Sequence, residues 1–97
     1  MIYHIVHIEP LHQNYQKAIE KVLKSQLVNI SDYVEGILDI KIGNNTTDKI
    51  GISNYVIIMI FNTRRDLENW MEHPNHIPIK KILQEKSIMK VFDYNDF

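Results

Sequence analysis

An uninterrupted apolar stretch, YVIIMIF at positions 55–61, limits the possible folds of this 97-residue chain more than any other feature. It consists of β-branched and other apolar residues with no charged residue among them, which is typical of a strand that is covered on both faces. A chain of this length forms one small core. The sequence therefore predicts a single domain, residues 1–97, with a central strand that has a separate cover on each side.

Alternation of side chains predicts three more strands. A strand places successive side chains on opposite faces, so a period of two is its signature. This period occurs in MIYHIVHIE (1–9), ILDIKIG (37–43) and SIMKVFDY (87–94).

Helical periodicity separates these strands. Apolar residues at steps of three and four predict a long amphipathic helix from about Asn14 to Ile30. The same period continues in TRRDLENWME (63–72) and PNHIPIKKILQE (74–85). The resulting order, β-α-β-β-α-β, predicts a ferredoxin-like α+β fold, in which helices cover one face of a four-stranded antiparallel sheet.

The face without helices is predicted to be apolar. Val56, Ile58 and Ile60 should point the same way as Tyr3 and Ile5. A large exposed apolar face marks an interface. We therefore expect a homodimer that closes sheet to sheet through this outer sheet face.

The motif EHPNH (72–76) indicates how the last helix begins. Proline fits the first turn of a helix but breaks a helix interior. We therefore interpret His73 as a capping residue and Pro74 as the first helical position, both with structural roles. His76 then lies in the first turn, where the helix dipole favours a neutral imidazole that can act as a base.

Composition excludes several classes of function. The net charge of -1 argues against nucleic acid as a partner, and no apolar stretch approaches the ~20 residues of a membrane span. Cysteine is absent, which removes disulfides and thiolate sites and fits a cytoplasmic protein. His73 and His76 lack a third ligand at supporting spacing, so we expect no metal.

Four segments together resemble the stress-responsive A/B barrel domain family: MIYHIVHI, VEGILDIKIGNN, EHPNH and VFDY. The resemblance covers essentially the whole chain. It implies a ferredoxin-like dimeric barrel, and it implies little about chemistry because one fold hosts many unrelated activities.

A plant polyketide cyclase in that family suggests which residues act. Its catalytic histidine matches His76 and its first-strand histidine matches His4, whereas Trp70 and Tyr55 stand in place of a tyrosine and a histidine. The resemblance implies an apolar pocket for a small aromatic or polyketide-like ligand, with His76 as general base and His4 opposite. The residues that we expect to line this pocket are Tyr55, Trp70, Met59 and Phe61.

The sequence leaves two other functions open. The chain is equally well interpreted as a non-enzymatic stress or structural dimer whose cavity is filled by its own side chains. Haem-degrading monooxygenases of the same fold carry a tryptophan in a position like Trp70, but their haem-ligating histidine corresponds to the segment around Lys80 and Lys81. Haem is therefore a minor alternative, and we expect no cofactor.

Overall fold

The sheet has the predicted topology. A computed structural model describes residues 1–47 and 53–96. Its antiparallel strands follow the spatial order β2-β3-β1-β4. Their bounds are β1 Ile2–Pro10, β2 Ile37–Asn44, β3 Tyr55–Phe61 and β4 Ser87–Tyr94. The ferredoxin-like β-α-β-β-α-β arrangement is confirmed, with β1 and β3 at the centre of the sheet.

In the described residues, three α-helices accompany the sheet: α1 Gln16–Val22, α2 Arg64–Met71 and α3 His76–Lys86. A 3-10 turn precedes α1 at Gln13–Tyr15, and a π-helical segment continues it through Leu23–Leu27. The predicted helix was three residues too long, because Ile30 belongs to a separate 3-10 turn, Ile30–Asp32. Ile30 is nevertheless buried, so the apolar period correctly identified it as a core residue.

Strand register gives the two faces of the sheet different roles. On β1, Ile5 lies between Ile58 of β3 and Phe92 of β4, which places all three side chains on the outer sheet face. The next position in register, His4, lies between Met59 and Asp93 on the helix-covered face. Alternate residues of the same strands therefore face either the helices or the bare side.

The core lies between the helices and the sheet. Its largest fully buried side chains are Trp70, Phe61, Ile8, Ile19, Leu27 and Met59. Thr63 caps α2, because its side chain accepts a hydrogen bond from the Asp66 N–H at 3.2 Å. Within residues 1–47 and 53–96, no helix has both the length and the apolar character needed to cross a membrane.

Gly36, just before β2, has a backbone conformation that other residues rarely adopt. Its φ is 89°, and a Cβ at this position would lie 2.8 Å from the side chain of Asp66. Gly43, within β2, would place a Cβ at an ordinary 3.7 Å from Val56. An added methyl group should therefore destabilise the fold more at Gly36 than at Gly43.

We predict that Gly36→Ala lowers the free energy of unfolding by about 1–3 kcal/mol, because alanine is strained at positive φ and meets Asp66. Gly43→Ala is the matched control and should not lower stability comparably. Urea unfolding of both variants tests this. Equal losses would show that neither the φ angle nor the contact with Asp66 matters.

Candidate functional site

A cavity of about 320 Å³ lies between α2, α3 and the covered face of the sheet. Its wall is mostly apolar, and the polar side chains that line it are His4, His76, Lys80 and Gln84. Val91 of β4 also lines the cavity and is 56% exposed, so the cavity reaches the surface near that strand. A space of this size is at the lower end of small-molecule sites.

His76 is presented to the cavity by the start of α3. Its Nδ1 lies 3.2 Å from the main-chain oxygen of Met71, and its ring lies 4.4 Å from the Trp70 ring, centroid to centroid. A carbonyl oxygen only accepts hydrogen bonds, so Nδ1 carries the proton and donates it. In the neutral ring, Nε2 is then an acceptor and a potential base.

His4 enters the same cavity from the centre of the sheet. It is only 4% exposed, and its Nδ1 lies 2.5 Å from Oδ1 of Asp93 on the neighbouring strand. The β1–β4 register makes Asp93 the direct partner of His4. The carboxylate therefore determines which nitrogen of the His4 ring remains available, as in other carboxylate–histidine pairs.

The Nε2 atoms of both histidines are accessible from the cavity. The hydrogen bonds of the two side chains involve Nδ1 only. In the described part of the chain, no buried side-chain nitrogen or oxygen lacks a hydrogen-bond partner. The two Nε2 atoms must therefore reach accessible space, and both side chains line the cavity.

Burial changes the acid–base behaviour of His76. It lowers the pKa of the imidazole from its ordinary 6.5, and nearby Lys80 lowers the pKa further, while the hydrogen bond to Met71 raises it. Removing a cation from water costs free energy, so the neutral form is favoured. His76 is therefore predominantly an unprotonated base at neutral pH.

The four residues that we expected to line the pocket lie in different parts of the structure. Trp70 and Met59 line the cavity with His76 and His4. Phe61 is fully buried in the core and does not line it, although its ring lies 6.4 Å from that of His4. Position along the strand, rather than the face, separates Phe61 from the cavity.

Tyr55 lies elsewhere on β3. It borders a second cavity, and its hydroxyl donates a hydrogen bond to Oε2 of Glu20 at 2.8 Å. Burial and this hydrogen bond raise the pKa of Tyr55 to about 12. It shares a sheet face with Met59 but is separated from it by four residues, roughly 13 Å along a strand, which explains its absence from the first cavity.

His73 and Pro74 lie in the connection before α3. The prediction that Pro74 is the first helical position was wrong, because α3 begins two residues later, at His76. His73 Nδ1 accepts a hydrogen bond from the Asn75 N–H at 3.1 Å, and its carbonyl accepts one from the Ile77 N–H at 3.3 Å. This geometry holds the first turn in which His76 lies.

Within residues 1–47 and 53–96, no three His, Cys, Asp or Glu side chains are grouped to hold a metal ion.

Sequence reasoning missed two polar groups of this site. Asp93 was recognised only as part of the VFDY segment, yet antiparallel pairing of the first and last strands would have placed it beside His4. Lys80 was considered only as a residue at the position of a haem ligand, although four residues from His76 is one helical turn on the same face. Its contribution to the cavity wall could have been expected from that spacing.

We predict that His76 titrates with a midpoint below 6.5 in the folded protein, as measured by NMR of its ring protons. As pH falls, His76 is therefore protonated at a higher pH in the unfolded chain than in the folded protein. The contribution of neutral His76 to the free energy of unfolding is present above pH 6.5 and is lost as pH decreases through the folded pKa. His76→Gln should remove that part of the pH dependence in urea unfolding, whereas a midpoint at or above 6.5 would contradict the effect of burial.

Comparison with known proteins supports the fold over nearly the whole chain. Residues 2–96 match the family model described as the stress responsive A/B barrel domain. A dimeric protein of unknown function with a ferredoxin-like fold from Bacteroides fragilis is 20% identical, with a TM-score of 0.84, and the match covers 98% of this chain and 95% of that one. At such identity, the likeness shows the fold alone.

Two other solved structures are similar. A Dabb family protein with a ferredoxin-like fold from Mesorhizobium loti is 17% identical, with a TM-score of 0.78 and coverage of 99% of this chain and 96% of that one. A protein proposed to be an antibiotic biosynthesis monooxygenase from Nitrosomonas europaea is 15% identical, with a TM-score of 0.80 and coverage of 99% and 98%. No curated protein sequence matches the chain. The family match across residues 2–96 and the observed architecture together establish that the chain belongs to the stress responsive A/B barrel domain family.

Proposed function

We propose that the protein binds a small aromatic or polyketide-like ligand in the cavity beside α3, and that His76 acts on this ligand as a general base. The observation that carries the proposal is that His76 and His4 line one mostly apolar cavity, while the hydrogen bonds of both rings involve Nδ1 only. Apolar walls with a few convergent polar groups are typical of small-molecule sites. A titratable side chain whose pKa is shifted by burial in such a cleft is a candidate for catalysis.

The chemistry follows from the hydrogen bond of His76. Its Nδ1–H is directed to the Met71 carbonyl, so Nε2 can accept a proton from the ligand. We expect that proton to come from a carbon next to a carbonyl group or from a phenol, leaving the electron pair on the ligand as an enolate or phenolate. The imidazolium formed retains the hydrogen bond to Met71. When an enolate carbon attacks a carbonyl of the same ligand, a C–C bond forms, the C=O π bond breaks, and the imidazolium returns the proton to the resulting alkoxide oxygen.

His4 is proposed to contact the same ligand from the sheet. Its link to Asp93 holds the ring orientation, as expected for a histidine with a carboxylate partner. The side chain of Asp93 is 27% exposed and acts through His4, so we assign it a positioning role. Trp70 supplies an aromatic wall beside His76, which suits a flat ligand.

We propose that a substitution at His76 separates function from folding. His76→Ala should abolish turnover or ligand binding, because it removes the proposed base, while changing the unfolding free energy by no more than about 1 kcal/mol. The control is His12→Asn, which removes an exposed imidazole but keeps a side chain that can accept the hydrogen bond from the Asn14 N–H, and it should leave both unchanged. Turnover and ligand binding, together with thermal unfolding, test the three proteins.

Retained binding and turnover in His76→Ala would favour the non-enzymatic dimer with a filled cavity.

Haem remains a minor alternative, since Trp70 and His76 lie together at the cavity and one structural relative is proposed to be a monooxygenase. We expect haemin to give no stoichiometric Soret band that depends on His76. Such a band, lost in His76→Ala, would instead favour the haem-degrading function.

The outer sheet face is proposed to join two copies of the chain. Phe92 is 63% exposed there, and Tyr3 stacks on Tyr94 with ring centroids 4.7 Å apart. Ile5 and Ile58 complete an apolar surface at its centre. An apolar face of this kind favours a partner, and the relative from Bacteroides fragilis is dimeric.

Ile58→Asp should dissociate this homodimer or unfold the chain, because it places a carboxylate in the middle of the apolar interface. Ile77→Asp introduces the same change at an exposed isoleucine of α3 and should leave the dimer intact. Sedimentation at micromolar concentration tests both variants. A monomeric wild-type protein under these conditions would overturn the proposed assembly.

A further inference from the structure

We propose that the ligand carries a carboxylate and that Lys80 recognises it. This inference rests on the ligand site proposed above and adds the chemical class that the site selects. It follows from the position of Lys80 in a cavity whose other lining residues are apolar except for His4, His76 and Gln84.

Lys80 lies one helical turn after His76 on α3, so the two side chains share a face of that helix. Both line the cavity, and Gln84 follows after one further turn. Lys80 is half-buried, whereas the adjacent Lys81 is exposed. The same helix therefore carries one lysine at the cavity and one directed to solvent.

Among the described residues, no acidic side chain in the cavity wall neutralises the charge of Lys80. The residues that line the cavity include no Asp or Glu among those that the structure describes. The described salt bridges join His4 to Asp93, Lys24 to Glu20 and Arg64 to Glu68. Asp93 is already bonded to His4, so the ammonium group of Lys80 is available to a ligand.

An anionic ligand oxygen would match this environment. A lysine can place its aliphatic stem along apolar surface while its ammonium group stays at the wet rim, and the exposed Val91 indicates where the cavity opens. A carboxylate at that rim would accept a charge-assisted hydrogen bond from Lys80, with Gln84 as a further donor. The apolar part of the ligand would then lie deeper, against Trp70 and within reach of His76.

The alternative is that the Lys80 stem only covers apolar surface. A pair of probes with the same shape and different charge separates the two roles: 4-butylbenzoate and the neutral 4-butylbenzamide. Trp70 is the single tryptophan of the chain and lines the cavity, so its fluorescence reports binding directly, and calorimetry can confirm the stoichiometry. The variants are Lys80→Met, which keeps an apolar stem, Lys80→Arg, which keeps the charge, and Lys81→Met as the matched control.

We expect the wild-type protein to prefer the carboxylate over the amide, and Lys80→Met to weaken carboxylate binding by at least about tenfold. Amide binding should change little, Lys80→Arg should retain the preference, and Lys81→Met should behave like wild type. Equal weakening of both probes in Lys80→Met would assign Lys80 a packing role and overturn the inference. Equal effects of Lys80→Met and Lys81→Met would show that the carboxylate preference comes from the general surface charge and would overturn the inference. Failure of both probes to bind at millimolar concentration would also overturn it.

These outcomes are independent of the proposed base. If His76→Ala abolishes turnover while Lys80→Met leaves the charge preference unchanged, the base remains and the carboxylate inference fails. If the preference depends on Lys80 but His76→Ala retains full turnover, the anion site remains and the catalytic role fails.

Discussion

The pairing of β1 between β3 and β4 is the constraint on which the rest of the molecule depends. It sets Ile5 beside Ile58 on one face and His4 beside Asp93 on the other. A slip of one residue in either ladder would exchange the faces of every side chain in the strand. The register therefore determines at once which surface is left bare and which histidine reaches the cavity.

The second contribution to the site comes from the interruption between α2 and α3. A continuous helix through Pro74 would lose a hydrogen bond and clash with the preceding turn. The break instead directs the Met71 carbonyl to His76, so a terminal main-chain acceptor of one helix defines the protonated nitrogen of a side chain on the next. Local chain geometry thereby prepares the base that the proposed chemistry requires.

Periodicity predicted the strands, the helices and the facing of Val56, Ile58 and Ile60 well, because each depends on local side-chain alternation. It did not predict that Tyr55 borders a different cavity, since a period identifies a face but not which helix covers each point along it. The contact of Asp93 with His4 joins residues that are 89 positions apart. The predicted fold pairs the first and last strands, but periodicity alone does not give the register that sets these two residues opposite each other. Lys80 was accessible to prediction from helical spacing alone.

Adjacent residues of β4 contribute to opposite faces: Phe92 lies on the outer side and Asp93 supports His4 on the covered side. Substitutions that alter the cavity wall can accumulate, on α3 above all, without changing the surface formed by the intervening residues. Conversely, the outer surface can change without altering the cavity wall. In such a sheet, the outer surface and the cavity are able to diverge separately during evolution, although both are encoded in the same strands.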